Sequence, residues 1–295
     1  MTSERIKSNQ LAYLFTVPAL FLMALMIVYP FLFNVVISFS NMNLTHFRDW
    51  HITGGANYLQ VLTDPSFRYY LLKTVLWTVV NLIFHVGIGI SLALILNKDI
   101  KGKTIFRTLL ILPWAVPQYI TALTWRGMFN AEYGAVNLWL TKWFGLSVPW
   151  LTTEWGAFTA CLITNIWLGF PFMMIIALGG LQSIPNELYE AADIDGSTWF
   201  QQLRHITLPL LKPVMVPAIT LGVIWTFNNF NVVWLVSNGG EPSDKTHILV
   251  SWIYKSAFTY FRIGHAAAFS MVVFLILLIF SWNFIKRTKA AESVY

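Results

Sequence analysis

Six long apolar blocks, at about residues 11–39, 70–97, 108–129, 157–182, 213–236 and 264–285, constrain this chain more than any other feature. Each is long enough to cross a hydrocarbon core as a helix, which takes about 20 mostly apolar residues. Only 11% of the residues are charged and 57% are hydrophobic, whereas an average soluble domain carries about 25% charge. A chain this poor in charge cannot cover a water-facing surface, so the missing polar surface must face lipid. Backbone groups in lipid have to be satisfied within each segment, and no alternating strand pattern is present. The expectation is an all-α membrane protein with six transmembrane helices. The first stretch, Leu11 to Phe39, is too long for a signal-peptide core and is followed by no small-residue cleavage site, so it reads as a retained span.

The formal net charge of +6 would suggest nucleic acid in a soluble protein, but here the basic residues lie between apolar blocks and set orientation instead. With the N-terminus inside, eleven Lys and Arg residues fall in cytoplasmic segments and eight outside, Lys73 among the latter. The bias is sharpest at residues 98–107 and 286–289, the two shortest basic segments, so both termini are expected to be cytoplasmic. This divides the chain into an N-terminal helix and first external loop (1–69), a core of five further helices (70–286) carrying a cytoplasmic loop at 183–212, and a cytoplasmic tail (287–295). Interior prolines at 18, 30, 113, 117, 171 and 217 are expected to kink several spans. Trp50, Trp143, Trp150 and Trp155 in the external segments suit either interface anchoring or the docking of an external partner. The lone Cys161 excludes an internal disulfide and a cysteine-rich metal site.

The cytoplasmic loop is built like two helices around a glycine. Pro185 suits a first helical turn, Glu187 to Ile194 propagates it, and Gly196 is placed to end it in the left-handed conformation. Thr198 with Gln201 three residues on reads as a capping box opening a second helix, which Pro209 and Pro213 are expected to end. Four acidic residues, Glu187, Glu190, Asp193 and Asp195, decorate the first helix. Such a pattern fits a knob that docks another protein, and it fits a solvated amphipathic loop equally well.

The run Glu190-Ala191-Ala192-x-x-Asp195-Gly196, nine residues, then Ile206-x-Leu208-Pro209 resembles the cytoplasmic "EAA" signature of ABC importer permeases, with every fixed spacing kept. Ser197 stands where alanine is usual and Leu203 where an aromatic residue is common. The resemblance covers roughly residues 65–285 and looks nearest to the maltose-type sugar branch, through Pro113-Trp114-x-x-Pro117, Tyr133-Gly134-x-x-Asn137, Trp167-x-x-x-Pro171-Phe172 and Phe227-Asn228-Asn229-Phe230. It implies a type I ABC importer permease fold in a bacterial inner membrane. It also implies partners: a dimer of ATPase subunits holding ATP and Mg, a second related permease subunit, and an external solute-binding protein. Glu190, Ala191, Ala192, Asp195 and Gly196 become ATPase-coupling residues on this resemblance. The chain itself would carry no cofactor and no metal, and would bind no nucleic acid.

Polar residues inside apolar spans need a reason, since an unpaired amide in lipid-like surroundings costs several kcal/mol. Trp225, Asn228 and Asn229 fall at i, i+3 and i+4, one face of a continuous fifth helix, with Asn231 beside them. Amides that donate and accept, next to a flat ring, suit the hydroxyls and apolar face of a sugar. They also suit hydrogen bonds between helices. Asn165 and Trp167 form a smaller pair of the same kind in the fourth block, and no role is assigned to His85, Gln118, His265 or Ser270. No Asp or Glu falls within the six blocks, which disfavours an ion-coupled secondary carrier, the main alternative, and fits a neutral polar solute. No G-x-x-x-x-G-K-[ST] loop is present, so ATP would be bound by another subunit; an intramembrane enzyme is disfavoured by the lack of H-E-x-x-H and G-x-S-x-G.

Overall fold

The computed structural model describes the backbone of residues 2–288, with side chains over 13–284 and at 286, and the expected tail lies outside these residues from 289 onward. Helices account for nearly all of it, and the only strand pairing among the described residues is a single bridge between Ser40 and Ile52. In order these are α1 (Thr2–Met23), a π turn (Ala24–Val28), α2 (Tyr29–Ser38), α3 (Ala56–Thr63), α4 (Pro65–Asn97), α5 (Lys103–Ala115), α6 (Gln118–Met128) and α7 (Ala135–Phe144). There follow α8 (Glu154–Gln182), α9 (Glu187–Ile194), α10 (Trp199–Gln202), a second π turn (Leu203–Thr207), α11 (Leu208–Phe227), α12 (Phe230–Val236), α13 (Leu249–Phe258) and α14 (Ile263–Thr288).

Among the described residues, five continuous helical stretches are long and apolar enough to cross a membrane: Tyr13–Ser38, Pro65–Asn97, Glu154–Gln182, Trp199–Phe227 and Ile263–Phe284. The block at 108–129 is not the single helix expected. Pro117 forces Val116 into extended backbone (φ −78°, ψ 135°), so α5 stops and α6 starts afresh. The block at 213–236 is likewise split, between Phe227 and Phe230. Pro209 and Pro213 do not end a helix, which is a third departure. Each π turn immediately precedes a residue–proline pair, Tyr29-Pro30 and Leu208-Pro209. The widened turn relieves the clash between the proline ring and the preceding carbonyls, and the helix runs on.

The described chain divides into two compact units. In the first, Met1–Asp64 with Ile253–Leu275, Asn34 donates to Ser270 Oγ (3.1 Å), and Asn57 donates to the carbonyls of Ser38 and Ser40 (3.0 and 2.7 Å). Around these bonds pack Ile37, Met42 and Ala267. Most of Tyr13–Val28 leaves its apolar side chains exposed, as a lipid-facing helix must.

The second unit, Pro65–Trp252 with Ile276–Tyr295, is organised on the crossing of α4 with α8. Gly89 makes that crossing close: a Cβ there would stand 2.7 Å from Met173 Cβ and 2.9 Å from the Met174 nitrogen. One apolar cluster, including Trp77, Phe158, Cys161 and Val233, fills the end near the α8 N-terminus. Another, with Leu96, Met174, Leu178 and Leu211, fills the far end.

An ion pair closes the first of these ends. α8 starts at Glu154, earlier than its apolar block, because the Thr153 side chain caps it by accepting from Gly156 N–H. Glu154 Oε1 then meets the Lys73 ammonium at 2.9 Å and accepts from the Tyr69 hydroxyl at 2.6 Å. Lys73, counted from the sequence only among the outside cations, is buried inside α4. It also donates to the Lys245 carbonyl and lies 5.1–5.3 Å from the ring centres of Tyr69, Trp155 and Phe158. Removing Glu154 would strand the buried Lys73 ammonium, which typically costs about 3–5 kcal/mol, whereas Glu154 also has Lys245 at 3.9 Å.

The close crossing makes a controlled prediction. Gly89→Ala should lower the midpoint of thermal unfolding in detergent by roughly 5 °C, the scale of an overpacked core. Gly87→Ala, on the same helix with open space around it, should leave the midpoint unchanged.

Candidate functional site

A cavity of about 650 Å³ opens where both broken helices meet α4 and α8. Its wall includes Val116, Pro117 and Gln118 from the first break and Trp225, Asn228, Asn229 and Asn231 from the second, with His85, Asn165, Gly169 and Phe172 from the long helices. Among the described residues, no Asp, Glu, Lys or Arg lines it.

The second break explains the asparagines. Asn228 ends α11 and donates back to the Ile224 carbonyl (3.0 Å), while Asn229 starts α12 by accepting from Val232 N–H (3.3 Å). They are therefore helix caps, not two positions on one helical face, which corrects the expected geometry. Asn229 Nδ2 also donates to Asn165 Oδ1 (2.6 Å), and Asn231 Nδ2 to Gln118 Oε1 (3.1 Å). Asn165 is 3% exposed and its Nδ2 is without a protein partner. Trp225 is half exposed and packs edge-on to Phe172, ring centres 5.2 Å apart.

Five of the six residues singled out from the sequence for solute contact thus line one cavity: Asn165, Trp225, Asn228, Asn229 and Asn231. Trp167 does not; it is packed against Trp125, 5.9 Å between ring centres. Gln118 and His85, given no role from the sequence, join the wall. Proximity of residues so distant in the chain leaves no local signal, so neither could have been found from spacing.

The cytoplasmic-type loop has the local structure its sequence spelled out. α9 ends with Gly196 at φ +73°, and Ser197 N–H closes on the Ala192 carbonyl at 2.9 Å. Thr198 and Gln201 form the reciprocal capping box. Gln202 Nε2 reaches Asp193 Oδ1 (2.5 Å) and the Tyr189 hydroxyl meets Thr207 Oγ1 (3.0 Å), tying α9 to the second π turn. Glu190, Ala191, Asp195 and Gly196 are exposed and Ala192 is half-buried. Beside them stand three exposed apolar side chains that the sequence argument passed over, Ile194, Trp199 and Phe200, with Ile194 87% exposed. No cluster of metal-ligating side chains occurs among the described residues.

A helical membrane protein with a polar cavity at two helix breaks and an exposed acidic loop has the build of a transport permease. The chain matches the family model "Binding-protein-dependent transport system inner membrane component" over residues 85–288, more than half its length, and it belongs to that family. It is a multi-pass inner-membrane protein. It is 37% identical to the galactooligosaccharides transport system permease protein GanP of Bacillus subtilis, over 97% of this chain and 72% of the relative. Identity to the trehalose/maltose transport system permease protein MalF of Thermococcus litoralis is 36%, over 97% and 96%. In fold it is similar to a chain of a crystallised bacterial ABC transporter that imports the acidic polysaccharide alginate, with a TM-score of 0.84 at 20% identity, covering 98% of this chain and 99% of that one.

The loop geometry is testable on its own. Gly196 has no atom within 4 Å of a built Cβ, so only its backbone conformation excludes other residues. Gly196→Val should cost about 1–2 kcal/mol locally and speed amide exchange over residues 187–196. Gly196→Asn, which tolerates the left-handed region, should stay close to the parent rate.

Proposed function

We propose that this chain is a membrane-spanning permease subunit of an ATP-driven, binding-protein-dependent importer, moving a neutral sugar of the di- or oligosaccharide or glycosyl-glycerol type by alternating access. One observation carries the reading: a cavity lined by amides and aromatic rings, free of charged side chains, at the junction of two helix breaks. Amides pair with hydroxyls in either sense, and Trp225 offers a ring to the apolar face of a sugar. The relatives named for galactooligosaccharides and for trehalose/maltose support the same substrate class.

Coupling would run through the loop. Glu190, Ala191, Ala192, Asp195 and Gly196, with Ile194, Trp199 and Phe200 exposed beside them, make an acidic and apolar knob suited to a groove on an ATPase subunit, which supplies ATP and Mg. An exposed apolar patch of this kind favours docking over a solvated loop. An ATPase dimer, a second related permease and an external binding protein complete the assembly; a fold neighbour in complex with an alginate pentasaccharide-bound periplasmic protein supports the last. In this reading α5 and α6 together make the crossing that neither makes alone, giving six spans with both termini cytoplasmic. The single acid at a span end, Glu154, is committed to Lys73, which disfavours ion-coupled carriage.

The test joins partners to affinity. The tagged chain purified in mild detergent should bring down an ATPase, and uptake of its sugar should survive collapse of the proton gradient while ATP is maintained. Trp225→Ala and Asn228→Ala should each raise the half-saturating sugar concentration about tenfold, the loss of one good contact. Wild-type affinity in both variants would remove the cavity from the transport path.

A further inference from the structure

The cavity holds one buried side chain to which the transport reading gives no part. His85 lies on α4 and is 4% exposed, yet it lines the cavity wall. Its Nε2 is 2.9 Å from the main-chain oxygen of Asn165 on α8. A carbonyl oxygen can only accept, so Nε2 carries the proton in this bond.

The surroundings are shaped for this bond. A Cβ at Gly169 would clash with Cε1 and Nε2 of His85, so glycine at that position is what lets the imidazole lie against α8. Pro171, two residues further on, has no N–H for the Trp167 carbonyl, and its ring crowds that carbonyl. α8 therefore lacks a ladder bond in the turn just beyond Asn165. The bond from His85 restrains the helix from outside beside the place where its own ladder is incomplete.

That turn matters because of what Asn165 does. Its Oδ1 is occupied by Asn229 Nδ2 at 2.6 Å, while its Nδ2 is buried without a protein partner. A chain of contacts thus runs from α4 through His85 to Asn165 on α8, and on to the helix break at Asn229. We infer that His85 is a positioning residue that sets solute affinity: by holding α8 at Asn165 it keeps the Asn165–Asn229 amide pair in the geometry that leaves Asn165 Nδ2 for a solute hydroxyl. The inference rests on the transport reading of the cavity.

Three variants test it in cells carrying each in place of the native gene, by uptake of tritiated maltotriose, or of galactotriose if that is the sugar the parent takes up. Rates are normalised to the amount of chain in the membrane. His85→Leu, which cannot donate, should raise the half-saturating concentration about tenfold, with the maximal rate changed less than about twofold. His85→Gln, whose amide can donate to the same carbonyl, should restore affinity to within about threefold of the parent. Gly169→Ala keeps His85 but displaces its ring, so it should reproduce the loss.

A fall in maximal rate shared by the Leu and Gln variants, with half-saturation unchanged, would make His85 a packing residue and overturn the inference. So would parental affinity in Gly169→Ala. Should His85→Leu fail to reach the membrane, the other two decide: impaired Gly169→Ala with near-parental His85→Gln supports the role, and the opposite pattern ends it. Asn229→Ala is measured alongside. Unchanged affinity there removes the cavity reading itself, whereas a loss there with parental His85→Leu removes only the role of His85.

Discussion

A helix in lipid can be interrupted only where protein groups or a cavity shielded from lipid satisfy the freed backbone groups, and in this chain both interruptions of the apolar core meet that demand at one cavity. Val116 and Pro117 part α5 from α6; Asn228 and Asn229 part α11 from α12. Asparagine side chains cap the second break from both sides, and Asn231 bonds to Gln118 across to the first. The polar groups required to break the helices are the same groups that make the cavity polar. A solute site then needs no further buried polarity, and the wall can remain free of charge.

Holding two broken helices in register requires that their neighbours not move. α4 and α8 supply that frame by close approach at Gly89, where a single added carbon would strike backbone. At the α8 N-terminus the Lys73–Glu154 pair, wrapped by three rings and a main-chain carbonyl, joins the same two helices to the loop before α13. Such a pair is weak evidence for net stability, because both ions lose hydration. Its value here is geometric: once made, Glu154 cannot leave without stranding the buried Lys73 ammonium.

What could be read in the sequence was what is decided locally. Apolar length located the five helices long enough to cross a membrane, and the capping box at Thr198 and the glycine stop at 196 are short-range devices whose chemistry lies within a few residues. The failures were of another kind. Asn228 and Asn229 were read as a face of a continuous helix because nothing nearby in sequence shows that Asn165, 64 residues away, takes one of them. Lys73 read only as one of the outside cations because its partner Glu154 is remote, and Pro209 read as a stop because a π turn is not visible in a propensity pattern. His85 and Gln118 gained a place only when the chain was folded around them.

The unexpected persistence of the helix past Pro209 changes how the two functional regions relate. From Trp199 to Phe227 the backbone is one helical stretch of 29 residues, about 43 Å long at 1.5 Å per residue. Its first turn is bonded to the acidic loop through Gln202 and its last turn carries Trp225 on the cavity wall. Had the prolines ended a helix, a flexible joint would lie between loop and cavity, and motion at one would dissipate before reaching the other. The π turn instead absorbs the proline without opening the helix, and Tyr189 with Thr207 ties that turn to α9. Under the transport reading a displacement of the loop is therefore passed along a continuous helix, through the interior prolines Pro213 and Pro217 where its ladder is incomplete, to the break at Asn228, where the solute would sit.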